Sequence, residues 1–189
     1  MPSIGIMASQ ISGHLAVYAY DSIATTTLAT TATTVTFSSI PSTYTHLQLR
    51  ILARSNRGAG SGAQLTYQFN SDTGTNYDDH YLSGDGATAT AGNDGTSQTY
   101  IWGTLIPVAS TTANAFGVSV VDILDYANTN KNKTTRGLGG FDSNGGGWIY
   151  LNSGLWRSTT AINSISIICS ASASFIANSS FALYGIKGA

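Results

Sequence analysis

The stretch SDTGTNYDDHY, residues 71–81, gathers Asp72, Asp78, Asp79 and His80 into the densest set of reactive side chains in the chain. Closely spaced Asp and Asn oxygens are what a hard cation such as calcium needs, six to eight of them at once. The spacing lacks the central Gly and closing Glu of an EF-hand, so it reads as a loop of Asx turns and the expectation is no metal. Asp78 and Asp79 as an acid–base pair fare no better, because neighbours on a strand point to opposite faces. The same argument separates Asp122 from Asp125, three residues apart in VVDILDY. Nucleophilic catalysis needs Ser or Cys beside His and a carboxylate. His14, His46 and His80 are scattered, and there is no G-x-S-x-G, H-E-x-x-H, C-x-x-C or Walker motif. Cys169, inside SISIICS, reads as a small buried hydrophobe. GLGGF at 137–141 resembles a phosphate loop only in composition, since no helix pattern follows it. The expectation is a protein that is not an enzyme and takes no cofactor.

Aromatic side chains are the other candidates. Tyr77, Tyr81, Tyr100, Trp102, Trp148, Tyr150 and Trp156 are many for a chain so poor in charge. Aromatics beside Asp and Asn stack on sugars or anchor protein interfaces. Tyr77, Tyr81 and Trp156 are the candidate glycan or interface contacts. Two of the three Trp are expected in the core, with Trp156 the partly exposed one.

The elements that must position these residues are strands. HLQLRILAR places Leu47, Leu49 and Ile51 on one face against Gln48 and Arg50, and AQLTYQFN places Leu65, Tyr67 and Phe69 against Thr66 and Gln68. TTVTF, SQTYIWG, FGVSVVDILDY, TTRGLGGF, GWIYL, SISIICS and SFALYGIK extend the pattern. PVASTTANAF is the one place for a short helical turn. ANTNKNK and DSNGGG carry the Asn, Asp and Gly of tight turns. SNRGAGSGA and SGDGATATAGNDGTS read as long loops, the second of about 15 residues. Many short strands spaced this way predict an all-β, single jelly-roll-like antiparallel β-sandwich.

Composition agrees. The 189 residues carry 9% charged side chains and a net charge of −1, against about 25% charged in an ordinary soluble domain. That leaves no electrostatic footprint for nucleic acid and no basic face for lipid. All nine acids are Asp, a turn residue rather than a helix former. A polar but uncharged surface keeps a free monomer dispersed poorly, which fits a protein covered in an assembly.

The opening MPSIGIMASQISGHL has no charged side chain, and Pro2, Gly5 and Gly13 oppose a helix. It lacks the basic start and long apolar run of a secretory signal, and no window has the ~18 apolar residues of a membrane span. Residues 1–15 therefore read as an extended N-terminal arm and 16–189 as the sandwich domain. An arm of this length reaches roughly 50 Å. Ile4, Ile6, Met7, Ile11 and Leu15 are its candidate partner-binding side chains, entering apolar pockets while the backbone adds to a sheet edge.

The segments YDSIATTTL, VTFSSIPSTYTHLQLRILARSNR, YQFNSDTGTNYDDHYLSGDG, VDILDYANTNKNKTTRGLGGFD and SSFALYGIKG resemble a family of virion proteins of tailed phages, including those of cyanobacteria. The resemblance covers about residues 18–188, with IPSTYTHLQLR and FALYGIKG its most specific pieces. It implies a structural virion component, tail-fibre or capsid-associated, and assigns no catalytic residue. With the arm and single sandwich, the expectation is a capsid decoration (cement) protein on the head exterior: a homotrimer gripping the phage's major capsid protein. The alternative is a short tail-fibre or receptor-binding protein whose loops at 54–63 and 83–97 bind host surface glycan.

Overall fold

Leu47, Leu49 and Ile51 share one face of their strand, Leu65, Tyr67 and Phe69 share one face of theirs, and all six are buried in one core. The computed structural model describes residues 19–187. The arm residues Ile4, Ile6, Met7, Ile11 and Leu15 lie outside them.

The chain runs through β1 (Tyr20–Thr27), β2 (Thr34–Phe37), β3 (His46–Ala53) and β4 (Ala63–Phe69). It continues with β5 (Tyr77–Gly84), β6 (Ala89–Gly92), β7 (Ile101–Ile106) and β8 (Gly117–Leu124). It ends with β9 (Lys133–Asp142), β10 (Gly147–Trp156), β11 (Ile165–Cys169) and β12 (Ser180–Ile186). One sheet has the order β1-β12-β3-β8-β9-β10-β5-β6, and a smaller one has β2-β11-β4-β7. Every pairing is antiparallel. The fold is an all-β sandwich of two antiparallel sheets.

Between the sheets, Val121 and Ile123 of β8 and Phe181 and Leu183 of β12 join the six residues of β3 and β4, with Ile165, Ile167 and Phe175 completing the layer. Each large aliphatic or aromatic side chain buried this way contributes about 1.5–3 kcal/mol. The smaller sheet sits close where the larger one has no side chains. Gly154 of β10 faces Ile101 of β7, and a Cβ there would come within 2.5 Å of Ile101 Cγ2. On β9, Gly137 and Gly139 face inward and Leu138 faces out. GLGGF is thus a strand segment over which β7 packs, not a phosphate-binding turn.

Two buried cations organise the loops. Arg54 is held by the carbonyls of Thr112 and Ala115 at 2.8 and 2.9 Å and of Thr111 and Ala109 at 3.0 and 3.3 Å. PVASTTANAF forms successive turns around this guanidinium instead of the expected helical turn, because four of its carbonyls point at Arg54 rather than along a helix axis. Lys133 Nζ is caged by the carbonyls of Asn128, Lys131 and Thr159 at 2.6, 2.8 and 3.1 Å. Burial holds its pKa below the ordinary lysine value.

Two loop readings change. In 71–81 only the first half is an Asx turn, with Asp72 Oδ1 accepting from Gly74 N at 2.8 Å, and the second half opens β5. The long loop at 83–97 contains β6, paired with β5 through a turn in which Asp85 Oδ1 accepts from Ala87 N and Thr88 N.

Candidate interaction surfaces

Trp156 is the first correction. It is 2% exposed, with its ring 6.2 Å from Tyr77 in a stack and 5.7 Å from Phe69. Its Nε1 donates to Asp72 Oδ2 at 2.7 Å. Tyr77 is fully buried too, its hydroxyl near the carbonyls of Phe69 and Asp72. Neither ring can meet a glycan. The reason is strand parity: both sit on the inward face at the paired ends of β10 and β5. The expected division of the tryptophans is reversed, since Trp102 and Trp148 are half-buried. Tyr81 is half-buried against Tyr150, at 5.5 Å between rings.

Asp72 and Asp78 brace this region through Trp156, Asn76 and Arg157, whereas Asp79 does not. Burial alone would raise Asp72, but Trp156, Asn76 and the Gly74 N–H outweigh it and hold its pKa below the usual range. Asp78 and Asp79 do point to opposite faces: Asp78 pairs with Arg157 at the surface, while Asp79 is 2% exposed. Burial, reinforced by the negative charge of Asp94, pushes Asp79 up to about 7. Its Oδ2 accepts from Asp94 N at 3.3 Å, and its Oδ1 has no hydrogen-bond partner. Asp122 lies between Arg136 and Gln48, and Asp125 pairs with Lys131 in the turn after β8. His46 Nδ1 accepts from Asp125 N. Cys169 is buried against Ser55. Among the described residues, no three His, Cys, Asp or Glu are grouped to hold a metal ion.

The surface that sequence reasoning missed is the outer face of the larger sheet. Val120, Leu138, Leu151 and Leu82 stand directly opposite one another on β8, β9, β10 and β5. In the adjacent row Leu52 faces Val118, and Ile149 follows across Gly140. All seven are exposed, Leu138 by 54% and Ile149 by 62%. Five strands spaced about 4.8 Å make this patch about 19 Å wide, with rows about 7 Å apart. Along one edge runs a polar row: Gln48, Asp122, Arg136, Ser153 and His80. There Gln48 Nε2 donates to Asp122 at 2.8 Å and Arg136 does so at 2.7 Å. A contiguous apolar area of this kind, bordered by polar side chains, is larger than singly scattered surface leucines explain.

The outer face of the smaller sheet differs in chemistry. Thr34, Ile168, Thr66 and Trp102 are neighbours across β2, β11, β4 and β7, and Thr36, Ser166 and Gln68 form the next row. This face holds a hollow of about 600 Å³, lined among others by Thr33, Thr34, Gln68, Thr99, Tyr100 and Ser172.

Compared with known proteins, the chain matches no family model, no curated protein and no solved structure.

Proposed function

We propose that this sandwich is a structural, non-enzymatic virion protein, a capsid decoration protein that docks on the head exterior and reinforces the shell. The observation that carries the reading is the apolar outer face centred on Leu138 and Leu151, exposed on a chain with few charges. Side chains at such positions cost solubility unless a partner covers them. A flat sheet face about 19 Å wide suits a protein lattice better than a small substrate. The partner is the major capsid protein of the same phage, offering a complementary apolar surface within reach of the Asp122–Arg136 border. The resemblance to tailed-phage virion proteins supports the same reading.

The protein acts as a homotrimer, in which three weak attachments combine through effective concentration. The arm, with Ile4, Ile6, Met7, Ile11 and Leu15, adds a second grip on each subunit, and its uncharged side chains enter a groove at little desolvation cost. Immunogold electron microscopy of virions, with antibody to the recombinant chain, tests the reading. Label spread evenly over the head is expected. Label confined to the tail would replace decoration by a tail-fibre or receptor-binding role.

A further inference from the structure

We propose that the hollow on the outer face of the smaller sheet is a binding site for a neutral oligosaccharide, with Tyr100, Gln68 and Thr34 as its contacts. The inference does not depend on the decoration reading, since the hollow and the apolar patch lie on different sheets.

Five observations point to this ligand. The hollow measures about 600 Å³, inside the ~300–1,000 Å³ of sites that hold small molecules. Its lining mixes polar and apolar groups and carries no charged side chain, so an anion or cation would lose its hydration without gaining a counter-charge. A neutral polyol exchanges water hydrogen bonds for protein ones at little net cost. The polar groups are the right kind: hydroxyls donate and accept, and the planar amide of Gln68 offers both functions. Gln68 Nε2 donates to Thr99 O at 3.0 Å, which sets the amide plane and leaves Oε1 and the second N–H for a ligand.

Tyr100, half-buried, supplies an apolar ring with a polar hydroxyl, the combination that meets the C–H face and O–H edge of a sugar together. Its ring is braced edge-on by Trp102, with centroids 4.8 Å apart at 89°. The rim carries backbone strain. Ala171 and Ser172 both have left-handed φ, 59° and 54°, in a turn closed by Ala173 N to Ser170 O at 3.2 Å. Each costs about 1–2 kcal/mol where glycine would be free, and strain of this kind gathers at ligand clamps.

The test is a glycan array of neutral and acidic microbial and plant oligosaccharides probed with the full chain, followed by calorimetry with the best neutral binder. Binding of at least one neutral glycan is expected, weakened by about tenfold or more, roughly 1.4 kcal/mol, in Tyr100→Ala and Gln68→Ala. Thr34→Arg, at an exposed position that leaves the core untouched, fills the hollow and removes binding even if the other variants fold poorly. Thr134→Ala, exposed on the opposite sheet, leaves binding unchanged. No neutral glycan bound, acidic glycans alone bound, or binding that survives Thr34→Arg would each overturn the site.

Discussion

Replacing Asp79 by Asn should make the protein more stable at neutral pH and remove part of its pH dependence. Asp79 is buried on the inward face of β5, with Oδ1 unpartnered and Asp94 beside it. Asp78 and His80 flank it in sequence but lie on the other face of the strand, Asp78 being paired with Arg157. The native carboxyl titrates near 7 rather than 3.8, so between those values the folded state binds the extra proton. Stability from this group is full below about pH 4, falls as pH rises to about 7, and is level above. About three units at ~1.4 kcal/mol each give a loss of about 4 kcal/mol. Asp94 is exposed, so solvent screening of its charge brings the expected loss nearer about 2 kcal/mol. Asn is neutral throughout and its amide can donate to Asp94, so Asp79→Asn should exceed the wild type by about 2–4 kcal/mol at pH 8. Urea unfolding between pH 4 and 8 measures this. Asp72, Asp78, Asp85, Asp122 and Asp125 are lowered and lose their contributions only as pH falls below about 4, so the windows separate. An Asp79→Asn protein less stable than wild type at pH 8, or equally pH-dependent, refutes the argument.

Leu138→Asp and Leu151→Asp should change unfolding free energy by no more than about 0.5 kcal/mol, because both sites are exposed. They should nevertheless abolish co-sedimentation with phage heads. Trp156→Ala should cost about 3–5 kcal/mol in a denaturant melt. Trp156→Phe, which removes the Asp72 hydrogen bond, should raise the Asp72 pKa as followed by NMR titration. Ala171→Gly relieves a left-handed alanine and should stabilise by about 1 kcal/mol, read as an increase in Tm.

Period-two alternation identified β2, β3, β4, β7, β8, β9, β10, β11 and β12 from residue order alone, since a strand repeats its environment every second residue whatever its neighbours are. β5 and β6 were hidden because Asp, His, Gly and Thr read as loop. Pairing to β10 makes β5 a strand, with Tyr77, Asp79 and Tyr81 inward. Local propensity carries no record of such a partner.

By itself the sequence determined that the chain is a charge-poor all-β domain, and that Leu47, Leu49 and Ile51, like Leu65, Tyr67 and Phe69, share core faces. Tertiary structure decided which face of each strand is inside where both are plausible. In β9 and β10 Gly137, Gly139, Gly154, Trp148, Tyr150 and Asn152 turn inward while Leu138, Ile149 and Leu151 turn out. A rule that puts leucine inside reads those strands backwards. The close approach of β7 leaves no room for branched side chains over Gly154, and β10 must take the register that excludes them. The same step buried Trp156 and exposed the apolar rows on which the proposed docking rests.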